Sequence, residues 1–199
     1  VSLLNIFFKL HMKNQLVTKK ILKWYDINKR PLPWRKNVSI QKRQYFTLVS
    51  EFMLQQTQVA TVIPYFNIFI KNIPNLKVLA TVNNNKLIKL WEGLGYYSRV
   101  RNLKKTAQEI IKNYNGKLPS NFEDLLSLPG IGNYTASAIL AIAFNRPYIP
   151  LDGNIERVLK RYLYLKKDKD IQKDNLIKKK SIFGTSSRSS DYAQALMEL

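Results

Sequence analysis

A chain of 199 residues with 45% hydrophobic content can bury a sizeable core, as one domain or as two small lobes. Its formal charge of +20 suits a polyanionic partner, nucleic acid first, although abundant Lys, Asn and Ile are also what an AT-rich coding sequence would produce. With no cysteine and a single histidine, His11, the residues exclude a disulfide, a cysteine-ligated metal and a histidine-cluster metal site.

Helical periodicity dominates and no alternating strand stands out, so the sequence predicts an all-α fold. The apolar opening Val1-Ser-Leu-Leu-Asn-Ile-Phe-Phe8 resembles a short signal core without a cleavage pattern, and is expected to pack as a helix edge. Helices are expected over about 13–28, 42–56, 59–72, 76–81, 84–93, 99–114, 121–127, 133–144 and 153–163. Breaks are expected at Pro31 and Pro33, Pro64, Pro74, Gly93 and Gly95, Gly116 and Pro119, then Pro147 and Pro150. Asn115-Gly116 reads as a C-cap, and Ser120 or Asn121 can cap the helix after Pro119. Residues 166–190, charged and then serine-rich, read as a mobile connector or a poorly ordered helix. No apolar run reaches the roughly 18 residues a membrane helix needs, and the expected location is the cytoplasm, with the nucleoid.

Three segments carry candidate chemistry. Leu128-Pro-Gly-Ile-Gly132 lies between a short apolar segment and the small-residue helix from Asn133 to Phe144. A Gly-x-Gly hairpin opening onto a helix leaves backbone N–H groups free to hold a phosphate; the plain alternative is a tight turn. Val49-Ser-Glu-Phe-Met-Leu-Gln-Gln-Thr-Gln58 sets one carboxylate, Glu51, among apolar and amide residues, and a solvated helix position is the alternative there. Trp91-Glu-Gly-Leu-Gly-Tyr-Tyr-Ser-Arg99 is a glycine-rich turn with paired aromatics beside Arg99 and Arg101; Tyr96 and Tyr97 could equally be core aromatics.

Together these segments resemble the helix-hairpin-helix superfamily of DNA glycosylases, most closely its adenine DNA glycosylase branch. The resemblance runs from about Leu22 to Leu199. It rests on Leu32-Pro-Trp-Arg35, Ser50-Glu51, Met53-Leu-Gln-Gln-Thr-Gln-Val59, Ile63-Pro-Tyr-Phe66, Gly93-Leu-Gly-Tyr-Tyr97, Leu128-Pro-Gly-Ile-Gly132 and Leu151-Asp-Gly-Asn154. It implies a monomeric enzyme that binds duplex DNA and cuts the glycosidic bond of adenine mispaired with 8-oxoguanine or guanine.

The resemblance also implies roles. Glu51 is the acid, kept protonated by apolar neighbours such as Phe52 and Leu54, and Asp152 stays ionised to stabilise the positive sugar, the division of labour of two carboxylates in different surroundings. Asp152 can equally be an N-cap, and Asn154 resembles a partner that orients it. Tyr134 stands where strand-cleaving, endonuclease III-like relatives carry a lysine; a tyrosine cannot form a Schiff base, which favours a glycosylase without lyase activity. Gln55 or Gln56 and Tyr96 resemble a wedge that fills the gap left by a flipped base. Arg35 and Trp34 resemble the wall of the adenine pocket, with a structural N-terminal clasp as the alternative. Gly130 and Gly132 lie where the hairpin holds a backbone phosphate, with a monovalent cation between carbonyl oxygens and DNA.

The family's four-iron four-sulfur cluster, expected from the resemblance, needs four cysteines that this chain lacks, and its domain for reading 8-oxoguanine would follow them. A fragment, a truncated copy, or a form working without either is compatible with that, and Phe183-Gly-Thr-Ser-Ser-Arg-Ser-Ser190 hints at relaxed constraint. The expected architecture is a lobe of residues 41–149, with the hairpin motif at about 121–144, and a second lobe joining 1–40 to 150–199. A DNA-binding cleft would lie between them, with Asp152 facing Glu51. The rivals are an endonuclease III-like pyrimidine glycosylase and lyase, and a non-catalytic DNA-binding remnant.

Overall fold

A computed structural model describes residues 3–163 and 186–199, with side chains from Gln15 onward. Among the described residues the fold is all-α, without a strand. In chain order the helices are α1 (Leu3–Asn28), α2 (Ile40–Leu54), α3 (Val59–Asn72), α4 (Leu76–Thr81), α5 (Asn84–Trp91), α6 (Ser98–Asn113), α7 (Phe122–Leu126), α8 (Asn133–Phe144), α9 (Gly153–Tyr162) and α10 (Ser189–Glu198), with a 3-10 turn at Pro33–Arg35. The chain divides into two compact units, residues 31–144 and residues 1–30 with 145–199.

Residues 31–144 are built around α2. Nine consecutive residues of it, Tyr45 to Met53, are buried, because α3, α6, α8 and the 3-10 turn all pack against it. The small side chains Ala136, Ala138 and Ala141 let α8 approach closely, and all three are fully buried. Short polar side chains start the helices: Asn75, Asn83 and Asn121 accept the amides of Val78, Asn85 and Asp124. The boundary of this unit falls at residues 30 and 31, rather than near 41, because the 3-10 turn belongs to it: Trp34 meets Phe66 edge-on at 5.3 Å, and Phe66 meets Phe46 at 5.4 Å.

One expected break and one expected helix start are different in the fold. Pro64 lies inside α3, whose buried Val62, Phe66 and Phe69 anchor it on both sides of the missing N–H. The first helix begins at Leu3 rather than near 13, since no proline or glycine interrupts its backbone.

In the other unit, Ile149, Ile155, Leu159, Tyr192 and Leu196 form a core, with Ile21 and Leu22 of α1 packed against it. The serine-rich stretch corrects the expectation of a mobile connector as far as it is described; residues 164–185 lie outside the described residues. Ser186 to Ser190 form an ordered helix start. Ser186 Oγ accepts the Arg188 amide at 3.0 Å, Ser189 Oγ donates to the Ser186 carbonyl at 2.7 Å, and Asn145 Oδ1 accepts the Ser190 amide at 2.9 Å. Small hydroxyls here satisfy backbone groups that water would otherwise serve.

Candidate active site

Glu51 lies in the last turn of α2 and is only 5% exposed, which rules out the solvated helix position. A carboxyl buried to this degree stands in surroundings unlike those of a carboxyl in water. Tyr134, partly buried, lies in the first turn of α8, the helix that packs along α2.

Just beyond Glu51 the helix stops. Gln55 leaves helical geometry and Gln56 turns left-handed at φ 55°. The two glutamines part company there. Gln55 is half-buried and its Nε2 donates to the Gly130 carbonyl at 3.4 Å, while Gln56 is exposed. Tyr96, in the Gly93–Gly95 turn, is also left-handed at φ 47° and is 62% exposed, so it is no core aromatic; Tyr97 is half-buried. Gly93 is required where it stands, at φ 98° and with no room for a Cβ beside the Tyr65 hydroxyl.

One residue of this region escaped sequence reasoning, which noted Arg99 only as a neighbour of the aromatics. Arg99, 6% exposed, starts α6 and reaches under both turns. Its Nη1 donates to the carbonyls of Met53 at 2.8 Å, Phe52 at 3.4 Å and Gln55, and to Thr57 Oγ1 at 3.0 Å; its Nη2 donates to the carbonyls of Leu94 at 3.0 Å and Gly95 at 3.2 Å. The guanidinium also lies 5.6 Å from the Trp91 ring and 5.4 Å from the Tyr96 ring. Burial pulls its pKa down from the usual arginine value. A signal was present: Arg99, Leu103, Thr106 and Ile110 recur at helical spacing, which puts the arginine on the buried stripe of α6.

The hairpin joins α7 to α8. Thr106 Oγ1 of α6 donates to the Pro129 carbonyl at 2.7 Å, and the Ile131 amide closes the turn on the Leu128 carbonyl at 3.2 Å. Its two glycines differ. Gly130 has φ 79°, and a Cβ on it would stand 2.8 Å from Asn102 Cβ and 2.9 Å from the Phe52 ring. Gly132 is exposed at the start of α8, and a Cβ there would meet nothing within 4 Å. The fold needs the first glycine; only something approaching from outside would need the second.

Leu32-Pro-Trp-Arg35 forms the 3-10 turn. Trp34 is buried against Phe66, as a clasp would be, and Arg35 is partly exposed.

In the other unit Asp152 caps α9. Its Oδ1 accepts the Ile155 amide at 2.8 Å and its Oδ2 accepts Asn154 Nδ2 at 3.0 Å, while Asn154 Oδ1 accepts Arg157 Nη1 at 3.2 Å. The carboxylate is half-buried with both oxygens oriented, at the N-terminal end of α9.

Comparison with known proteins shows the family and the fold. Residues 49–181 match the HhH-GPD superfamily of base excision DNA repair proteins, and the chain belongs to that family. The adenine DNA glycosylase of Buchnera aphidicola subsp. Baizongia pistaciae (strain Bp) is 48% identical over 143 residues, covering 71% of this chain and 40% of the relative. The adenine DNA glycosylase of Homo sapiens is 40% identical over 190 residues, covering 90% of this chain and 34% of the relative. The chain thus spans less than half the length of these relatives. In fold it is similar to a thermostable thymine-DNA glycosylase, with a TM-score of 0.76, 23% identity and coverage of 94% and 85% of the two chains. Endonuclease III in a non-covalent DNA complex aligns with a TM-score of 0.73 at 21% identity, covering 94% and 84%.

The cysteine-held iron–sulfur cluster does not fit the residues present. The sequence has no cysteine, and the described residues hold no group of three or more His, Cys, Asp or Glu side chains able to bind a metal ion. No helix among the described residues is long and apolar enough to cross a membrane.

Proposed function

We propose that this protein is a DNA glycosylase that removes adenine mispaired with 8-oxoguanine or guanine by hydrolysing the N-glycosidic bond, leaving an abasic site. The observation that carries the reading is Glu51, a carboxyl 5% exposed at the end of α2, in a chain 48% and 40% identical over the aligned stretches to two adenine DNA glycosylases. Adenine is a poor leaving group. Glu51 delivers a proton to the departing base as the bond from N9 to the sugar breaks and its electron pair goes to adenine. The sugar is left with positive charge at C1′. Asp152, held by Ile155 and Asn154, stabilises that charge. Water then adds at C1′, and its proton returns to the Glu51 carboxylate. Tyr134 brings no amine to the sugar, so no covalent lyase step follows.

DNA is held by its phosphates at the hairpin. Gly132, with open space around it, admits a phosphate close to the first amides of α8. The carbonyls of Leu128, Pro129 and Gly130 each accept one hydrogen bond and keep a second lone pair, a capacity that suits a monovalent cation. Gln56 and Tyr96 form the wedge, and the partly exposed Arg35 borders the base pocket, with Trp34 anchoring its turn on Phe66. The working species is a monomer on duplex DNA in the cytoplasm, where a bacterial chromosome lies.

The test is single-turnover excision from an adenine:8-oxoguanine duplex by the parent and by Glu51→Gln. General acid–base catalysis is commonly worth about 100- to 10,000-fold. Loss of that order, with duplex affinity within a few fold, is the expected result. A variant within threefold of the parent removes Glu51 from the role, and no excision by the parent removes the activity.

A further inference from the structure

We propose that Arg99 is a positioning residue: its single guanidinium fixes the turn carrying Gln56 and the turn carrying Tyr96 as one unit, and so sets the placement of both side chains that enter the base stack. This rests on the proposed glycosylase reading for its functional part, while the clamp itself stands on contacts alone.

The end of α2 leaves its last carbonyls without helical partners, and α2 has no basic residue in its last turn. Arg99 supplies the missing donors and charge from a different helix, through the carbonyls of Phe52, Met53 and Gln55. The same group holds the carbonyls of Leu94 and Gly95, and Trp91 Nε1 adds a bond to the Gly95 carbonyl at 3.1 Å. Both turns present a non-glycine residue in left-handed geometry, Gln56 and Tyr96, and both of these are exposed. Side chains adopt that region reluctantly, so its occurrence in both turns calls for an external restraint. A planar guanidinium with donors on two separate nitrogens can reach two turns at once. A lysine ammonium, one point charge on a flexible stem, can serve one. Glu51 lies at the same helix end, so the clamp also ties the wedge to the proposed acid.

The decisive variant is Arg99→Lys, read by hydrogen exchange of two amides that have protection to lose: Thr57, bonded to the Leu54 carbonyl at 3.2 Å, and Leu94, bonded to the Trp91 carbonyl at 3.1 Å. The expected result is exchange about tenfold or more faster at both, with the amides of α8 unchanged. Single-turnover excision per folded molecule should fall by about tenfold or more, because misplaced groups lose rate steeply, with affinity for undamaged duplex held within threefold. Faster exchange at one amide only, or at neither, overturns the clamp. A variant that only loses thermal stability, with excision per folded molecule unchanged, overturns the positioning role. Should Arg99→Lys fail to fold, Thr57→Val removes one acceptor of the clamp. Faster exchange at Leu94 as well as Thr57 then supports coupling, and an effect confined to residues 55–57 refutes it. Absence of excision in the parent strikes the glycosylase reading, and the exchange pattern still decides the clamp.

Discussion

Gly130 presses its backbone against Phe52 so closely that a Cβ would stand 2.9 Å from the aromatic ring. The hairpin is therefore seated on the same turn of α2 that carries Glu51. Thr106, through the Pro129 carbonyl, and Gln55, through the Gly130 carbonyl, hold it there. Gly130→Ala is expected to cost about 2–5 kcal/mol, the sum of about 1–2 for left-handed geometry and about 1–3 for overpacking. Chemical denaturation measures it, and a cost below about 0.5 kcal/mol would show that the hairpin is free to shift.

Gly132→Ala should behave in the opposite way. Its φ is ordinary and its surroundings are open, so stability should stay within about 0.5 kcal/mol of the parent. Duplex affinity should nevertheless fall by about tenfold, since the added methyl keeps a phosphate from the amides of α8. Equal affinity of variant and parent would move the phosphate site elsewhere.

Asp152 is both a helix cap and the proposed stabiliser of positive charge, and two substitutions separate these. Asp152→Asn keeps an oxygen for the Ile155 amide and leaves stability nearly unchanged, whereas Asp152→Ala removes the cap at a cost of about 1 kcal/mol. Excision should fall at least about 100-fold in both, because both lose the charge. An Asp152→Asn protein with parental excision would leave Asp152 as a cap alone.

Tyr134 sets the product. The parent should yield an intact strand bearing an abasic site, cut only after alkali, with little adduct trapped by borohydride. Tyr134→Lys places an amine there and should raise the trapped adduct. Efficient nicking by the parent without alkali contradicts the reading.

Arg188 should contribute stability at neutral pH that is lost in acid. Its hydrogen bonds hold the Asp26 carboxyl below the ordinary aspartate value of 3.8, and Asp26 with Asp191 pushes the Arg188 pKa up. A carboxyl with a depressed folded pKa contributes stability above the unfolded value and loses it as pH falls through the folded one. The melting temperatures of the parent and Arg188→Gln should therefore differ at neutral pH and converge below about pH 4. A constant difference across that range would show that the pair contributes nothing through Asp26.

Helix positions, caps and the hairpin were legible in the sequence because they are local: apolar spacing, Asn121 and Asp152 before helices, and Gly-x-Gly between them all act within a few residues. Glu51 was legible as one carboxylate in an apolar run. Three things were decided only when the helices packed. Gly130 and Gly132 look alike in sequence, and the approach of Phe52 and Asn102 to one of them alone made them different. The serines around the start of α10 read as a mobile connector or a poorly ordered helix until Asn145 supplied partners for Ser187 and Ser190. Arg99 read only as a basic neighbour of the paired aromatics. Its partners, Met53 and Gln55, lie 46 and 44 positions away along the chain, and no local pattern encodes a contact at that separation. Composition and spacing determine which elements form; which polar group ends up inside, and what it holds, depends on the packing that removes water from around it.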